Sequence, residues 1–290
     1  MNDQRPINRY RLYMHRTLTD NVNMVFDFVR DNWRLWLKMM IYFLLPFSVP
    51  LGTVFAAFYN EGDIFAIESI SDMTLVVYLI LSVTGCAVVT AMMILLVKWH
   101  ESHNCTLDEC NVSAMWRMLP KASLKCLGII VISDILIGLS VLLIVFLIGI
   151  GALLALLPVF LLCPIMLLEP EGSFSSLVHR AFSLGYKKWG ALILIAGVMG
   201  VVAIIMNNAV SFPLSLFLML RSLLEESAGD TMFWSLLMDI VFYIMCVVQS
   251  FIVFVAMGLF VLAMTYHYGS VAAEVEDIGL ESDIDNFAHL

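Results

Sequence analysis

The chain is 290 residues long, and its composition excludes an ordinary soluble domain. Hydrophobic residues make up 61% of the sequence and charged residues 13%, against about 45–50% and about 25% in soluble domains. The formal net charge is -9, and there is no basic surface of the kind that phosphate backbones require, so we expect no nucleic-acid partner. The class indicated is an all-α polytopic membrane protein.

Apolar blocks along the chain are long enough to cross a bilayer, which takes about 20 helical residues for a hydrocarbon core of about 30 Å. We predict six transmembrane helices in three hairpins, with cytoplasmic amphipathic helices before the outward-going spans. The organisation predicted is a cytoplasmic amphipathic segment (1–34), a six-helix transmembrane domain (35–268) and an acidic cytoplasmic tail (269–290).

The first two spans follow an amphipathic stretch. Between Leu18 and Trp33, apolar residues recur at helical spacing with charged residues opposite, which predicts a helix on the membrane surface. Span 1 is expected from about Leu35 to Tyr59, and span 2 from about Met73 to Val97, with an acidic loop between them.

The longest apolar run, from Cys126 to Leu168, is twice the length of one span. It therefore predicts spans 3 and 4 joined by a short turn, and the glycines of 148–151 tolerate the reversal that such a turn needs. Ser173 is placed to cap a short helix that Gly185 is placed to end.

Span 5 is predicted from about Gly190 to Met206. We expect Asn207, Asn208 and Pro213 to end or bend it, and the apolar segment 214–224 to lie at the far interface. Small residues of span 5, including Gly197 and Gly200, share one side and would permit close approach of another helix. Span 6 is expected within 231–266.

The basic residues predict the orientation. Of the fifteen Lys and Arg residues, only Arg221 falls in a segment on the opposite side from the others. Under the positive-inside rule this split places both termini in the cytoplasm.

Four tryptophans stand near the entries to the outward-going spans: Trp33, Trp36, Trp116 and Trp189. Tryptophan and basic side chains suit the headgroup zone, so we interpret these residues as interfacial anchors. The plain interpretation is ordinary anchoring. The functional one is a cytoplasmic collar that binds lipid headgroups or a partner protein.

The run from Pro158 to Glu169, followed by Ser173, the stretch 178–184 (Val-His-Arg-Ala-Phe-Ser-Leu) and Trp189, resembles a signature of bacterial six-span membrane proteins. That group is similar to the membrane domain attached to some glycerophosphoryl diester phosphodiesterases. The resemblance implies six spans, cytoplasmic termini and a bacterial inner-membrane location. It does not imply phosphodiesterase activity, because a catalytic (β/α)8 barrel needs about 250 residues of its own.

Three polar residues near or within the spans are candidate functional groups. Asp134 is predicted near the membrane midplane, where a carboxylate is costly and is often a proton relay, an ion site or an interhelical bond. Ser133, Asn207, Asn208 and Gln249 are its candidate partners. Glu169 ends span 4 and is expected to accept a backbone hydrogen bond or to pair with Arg180, a structural role.

A possible metal site lies in the loop after span 2, where His100, His103, Cys105 and Cys110 form the pattern H-x2-H-x-C-x4-C. Zinc accepts these ligand types, but the spacing matches no standard finger. We prefer the explanation that these are reduced cytoplasmic thiols beside interfacial histidines, and we expect neither metal nor cofactor.

Catalytic motifs are missing from the sequence: it contains no Gly-rich phosphate loop, no G-x-S-x-G and no H-E-x-x-H. The function predicted is a non-enzymatic membrane scaffold or accessory protein that engages membrane lipids and a cytoplasmic protein partner. A small transporter or channel that uses Asp134 is the alternative. A lipid-headgroup enzyme is a weaker third, since no nucleophile can be named for it.

Overall fold

A computed structural model describes the backbone of residues 10–60, 72–102, 107, 110–143, 155–169, 172–227 and 232–276. These residues form helices and no strands. The helices are α1 (Leu18–Asp31), α2 (Trp33–Asn60), α3 (Asp72–Ser102), α4 (Val112–Leu143), a 3₁₀ turn (Leu157–Leu161) that leads into α5 (Leu162–Leu168), α6 (Phe174–Lys187), α7 (Trp189–Ser227) and α8 (Met232–Val275).

Five of these helices, α2, α3, α4, α7 and α8, are long and apolar enough to cross a membrane. The fold is therefore that of a helical, membrane-embedded protein. Of the fourth predicted span, the described residues contain the apolar stretch Leu157–Leu168, which by itself is shorter at helical rise than a hydrocarbon core of about 30 Å. The turn predicted at 148–151 lies outside the described residues.

The centre of the fold is α8, which packs against α1, α2, α3 and α7. Its Phe254, Tyr266 and Tyr268 are among the largest fully buried side chains of the described chain. Close approach is possible because glycines face neighbouring helices: a methyl group at Gly52 of α2 would lie 2.6 Å from the Val247 Cα atom of α8. The core thus forms where α2, α3 and α8 meet.

The first predicted amphipathic helix is confirmed as α1. Thr17 caps it, because its hydroxyl accepts from the Asp20 backbone N–H while the Asp20 carboxylate accepts from the Thr17 N–H. The apolar face of α1 buries Val25 and Phe28, and Phe28 contacts Tyr266 edge-on at 6.0 Å. α1 is thereby held against α8.

Three of the long helices, α4, α7 and α8, begin or end elsewhere than predicted. α4 begins at Val112 rather than near Cys126, so the segment with Trp116 and Pro120 is the first part of a spanning helix and forms no separate interfacial one. Pro120 lies in the ninth position of this helix, where one backbone hydrogen bond is lost and the ring crowds the carbonyl four residues earlier.

The prediction that span 5 ends near Asn207, Asn208 and Pro213 is wrong; whether they bend it stays a prediction. α7 runs without interruption from Trp189 to Ser227, through Asn207, Asn208 and Pro213. The Asn208 amide donates to the Ile204 carbonyl at 2.8 Å, so the side chain bonds within the helix instead of ending it. The segment 214–224 continues the same helix, and its Leu214 is buried against Phe242 and Cys246.

Gly185, Gly197 and Gly200 do not have the structural roles that the sequence predicted for them. Ser173 caps α6 as predicted, accepting from the Ser176 N–H at 3.3 Å, but Gly185 does not end that helix. Gly185 is buried, and a methyl group there would lie 2.6 Å from the Pro158 Cβ atom. Around Gly197 and Gly200, in contrast, no described atom comes within 4 Å of an added methyl group.

α8 is longer than span 6 was predicted to be, with 44 residues ending at Val275. Its last turns include Gly269 and Ser270, which had been assigned to the acidic tail. These turns are buried rather than solvated, because the segment before α1 packs on them. The rest of the tail, from residue 277, lies outside the described residues.

Candidate functional site

Several helix ends meet at one end of the bundle and join through polar side chains. We call Tyr13, Glu169, Arg180, Tyr268 and Glu276 the polar end cluster. These residues come from the segment before α1, the end of α5, the middle of α6, and α8 with the residue that follows it. Distant parts of the sequence are thus tied together by hydrogen bonds and ion pairs.

Glu169 is the common acceptor of this cluster. Its carboxylate accepts from the Tyr13 hydroxyl at 2.9 Å, from the Tyr268 hydroxyl and from the Arg180 guanidinium. The expected pairing of Glu169 with Arg180 is therefore present. Burial raises the pKa of the Tyr13 phenol, so Tyr13 remains a donor to Glu169 over the physiological range.

Arg180 bridges two carboxylates. Its guanidinium reaches Glu169 on one side and Glu276 on the other, with its Nε atom 3.0 Å from Glu276 Oε1. It also lies over the Tyr268 ring at 5.9 Å. Burial by itself lowers the pKa of Arg180, but the hydrogen bond to Glu276 and the neighbouring negative groups outweigh it and raise the pKa.

A second ion-paired group lies at the same end of the bundle. Glu274 of α8 pairs with Lys188, the residue before α7, and lies 3.3 Å from the His15 imidazole. Lys98 near the end of α3 donates to the Leu167 carbonyl at 2.6 Å. The ends of α3, α5 and α8 and the start of α7 are therefore cross-linked.

The segment before α1 lies across the end of α8. The Leu12 N–H donates to Glu101 at 2.8 Å, and the Arg16 N–H donates to the Ser270 hydroxyl at 3.1 Å. Gly269 is required at this contact, because any added methyl group would clash with the Leu12 carbonyl. Burial lowers the pKa of Arg16, whose guanidinium stacks over the Tyr266 ring at 5.7 Å.

Three of the four predicted anchor tryptophans are accessible. Trp33 is 54% exposed, Trp116 61% and Trp189 39%. Arg34 lies over the Trp33 ring at 5.6 Å, and Trp116 stacks on Phe43 of α2 at 5.7 Å. These side chains suit the anchoring role.

Trp36 differs from the other three, since only 8% of its surface is exposed. With Met39, Met40 and Phe43 it forms the stripe of α2 that faces the core. The prediction that it is an anchor is wrong, because the helical register turns Trp36 inward and Trp33 outward.

Asp134 lies on α4 beside a cavity of about 70 Å³ between α3, α4, α5 and α8. Thr90, whose buried hydroxyl has no hydrogen-bond partner in the described chain, lines the same cavity. The partners that the sequence offered for Asp134 are engaged elsewhere: Ser133 donates to the Ile129 carbonyl at 2.8 Å, and the Gln249 amide donates to Asn207.

Among the described residues, no group of three or more His, Cys, Asp or Glu side chains is placed to hold a metal. His103 and Cys105 of the candidate metal pattern lie outside the described residues. His100 is buried against the Tyr10 and Phe28 rings, which favours a packing role for this histidine.

The polar end cluster is suited to holding helices together, because each charged group in it faces a partner. The sequence singled out Glu169 and Arg180 but missed Tyr13, Tyr268 and Glu276. The signal for Tyr268 was its place at the end of a long apolar span. Glu276 had none, because it lies in a stretch rich in acidic residues.

The fold and this site define a helical membrane protein whose inter-helix ion pairs gather mainly at one end. No protein-family model matches the chain, and no curated protein or solved structure is significantly similar to it. The resemblance to six-span bacterial proteins therefore stays a prediction from the sequence.

Proposed function

We propose that the protein is a non-enzymatic integral membrane scaffold or accessory protein of a bacterial inner membrane. It has six spans and two cytoplasmic termini. Its cytoplasmic end, formed by the polar end cluster and the exposed tryptophans around it, engages lipid headgroups and a cytoplasmic protein partner.

The proposed orientation is supported by where the basic residues lie. Lys98, Arg180 and Lys188 meet at the end of the bundle that carries the polar end cluster, while Arg221 pairs with Asp239 on the other side. A six-span path is supported by the direction of the chain: α4 leaves the polar end, and α5 returns to it at Glu169. Positive residues favour the cytoplasmic side.

The observation that carries the scaffold role is the bridging of two carboxylates by Arg180. Half-buried ion pairs that join three chain segments fix the relative positions of those segments. An active site instead keeps a reactive group free to act on substrate, whereas Glu169, Arg180 and Glu276 are engaged with one another. A rigid end with exposed aromatic side chains is suited to presenting a binding surface to lipid headgroups and to a protein partner.

Photo-cross-linking tests this role. A benzophenone amino acid replaces Trp33 or Trp189 in one set of variants, and Leu139 or Leu216, exposed along the spans, in a control set. Irradiation in cells should give one defined protein adduct from the tryptophan positions and only lipid adducts from the control positions.

Two results would contradict the proposal. Lipid adducts alone from all four positions would remove the protein partner. A partner identified as periplasmic would reverse the orientation.

A small transporter is the second candidate, and the observation that favours it is the cavity beside Asp134. Asp134 lies nine residues, or about 13 Å, beyond Lys125 along α4, near the middle of a bilayer whose surface is at Lys125. Thr90 adds a hydroxyl to this apolar cavity. A carboxylate at such depth is suited to carrying a proton.

The Asp134→Asn substitution separates the two candidates, because asparagine keeps the shape and removes the titrating proton. In proteoliposomes with an internal pH dye, a scaffold should give proton flux equal to that of protein-free vesicles for both wild type and variant. Flux in the wild type that Asp134→Asn lowers at least tenfold would favour the transporter.

A further inference from the structure

A row of exposed cations runs along the first part of α4. Arg117, Lys121 and Lys125 are four residues apart, so they lie on one face of the helix, and all three are exposed. None of them makes an ion pair or hydrogen bond within the part of the chain that the structure describes. Most other basic side chains of that part have partners: Lys98, Arg180, Lys188 and Arg221 are examples.

Among the described residues, no carboxylate on α4 or on the end of α3 is paired with this row. Asp134 is the only carboxylate within α4. On the adjacent α3, Lys98 is another cation, and it is close enough to Lys125 for mutual repulsion. Glu101 at the end of α3 is engaged by the Leu12 N–H. Three positive charges are thus held on one exposed face, where an external anion would pair with them.

The same face continues as an apolar stripe. Leu124, within the row, is 70% exposed, and Ile132, Ile135 and Leu139 follow it along α4. The opposite face, with Met115, Leu119, Ala122 and Cys126, is buried. A ligand that follows this face would meet cations first and then about 20 Å of apolar side chains.

Trp116 stands beside the row and stacks on Phe43. The stack fixes the indole at the level where the row begins, and its N–H can donate to a phosphate or glycerol oxygen. Exposed aromatic and basic residues together are typical of the zone where headgroups meet acyl chains.

We propose that the exposed face of α4 binds an anionic glycerophospholipid. Its phosphate lies against Arg117, Lys121 and Lys125, beside Trp116, and an acyl chain follows Leu124, Ile132, Ile135 and Leu139. This proposal rests on the membrane orientation proposed above and names the lipid class for one part of that surface. Only an amphiphile with a negative head matches both parts of the face, whereas an acidic protein would leave the apolar stripe without a ligand.

The test uses the purified full-length chain in detergent, with phosphatidylglycerol and phosphatidylcholine of identical acyl chains as probes. Binding is measured by native mass spectrometry for wild type and for the R117Q/K121Q/K125Q variant. Each cation near an anionic surface contributes about fivefold in affinity, so phosphatidylglycerol should bind the variant at least tenfold more weakly. Phosphatidylcholine binding should be unchanged.

The matched control is R34Q/K38Q/K187Q, which removes the same charge from exposed positions on other elements. It should lower phosphatidylglycerol affinity less than threefold. Equal loss in both variants would overturn the proposal in favour of a diffuse charge effect. Equal binding of the two lipids to wild type would overturn it as well.

A second measurement does not depend on the variant folding. Phosphatidylglycerol with a photoreactive acyl chain is cross-linked to wild type, and adducts are mapped by peptide mass spectrometry. Adducts should concentrate in residues 124–139, and excess phosphatidylglycerol, but not glycerophosphoglycerol, should compete for them. Adducts spread evenly over all spans would contradict the α4 site, while the scaffold role would still stand on its partner.

Discussion

At the scale of single residues, the pairing of Glu169 with Arg180 was predictable, while most of its surroundings were not. Sequence position suggested the pair, because eleven residues with a turn and a helix between them bring the two side chains close. Tyr13 lies 156 positions from Glu169 and Glu276 lies 96 positions from Arg180. Contacts over such separations depend on how helices pack, and no local pattern encodes them.

Arg180→Gln should destabilise the protein by about 1–3 kcal/mol, because it leaves Glu169 and Glu276 facing each other without a cation. Thermal unfolding in detergent, followed by circular dichroism, measures the change. The control is Arg221→Gln, whose partner Asp239 is half-exposed, so its loss should cost less than about 1 kcal/mol. Equal losses in the two variants would show that the polar end cluster adds no special stability.

At the scale of helices, hydropathy located the spans well and their ends poorly. Five long apolar helices occupy the predicted regions. The sequence suggested that Asn207, Asn208 and Pro213 would end a helix, but α7 continues through them. In an apolar environment the backbone has no water to bond with, so the helix persists where a soluble one would stop. The glycines of span 5 also predicted a close helix contact that the structure does not show at Gly197 and Gly200. Small residues permit such contact without requiring it.

Gly52→Ala and Gly200→Ala form a matched pair in two spanning helices. A methyl group at Gly52 would clash with the Val247 backbone, so Gly52→Ala should force α2 and α8 apart at a cost of about 1–3 kcal/mol. Gly200 faces open space, and Gly200→Ala should be neutral or slightly stabilising. Thermal unfolding of both variants in the same detergent decides this.

The opposite order of effects would be informative. A large loss for Gly200→Ala with none for Gly52→Ala would mean that the small-residue side of α7, and not the contact between α2 and α8, is a tight packing surface.

At the scale of the whole molecule, the longest apolar run suggested that the predicted hairpin of spans 3 and 4 is the centre of the fold. In the structure the central helix is α8. Length explains the difference. α8 has 44 residues, about 66 Å at helical rise, so it can contact α7 near one end and the segment before α1 at the other. The orientation stays a prediction from charge sidedness, which depends on composition and order rather than on packing.

The anchoring of the last turns of α8 has a mechanical consequence. Leu12 and Arg16 hold these turns from one side, and Arg180 and Lys188 hold Glu276 and Glu274 from the other. A domain fused beyond Glu276, or a protein bound there, would therefore pull on a helix whose end is held in place by these contacts. We therefore expect force applied at that point to move α8 as a whole, including the distant part that carries Asp239, the ion-pair partner of Arg221.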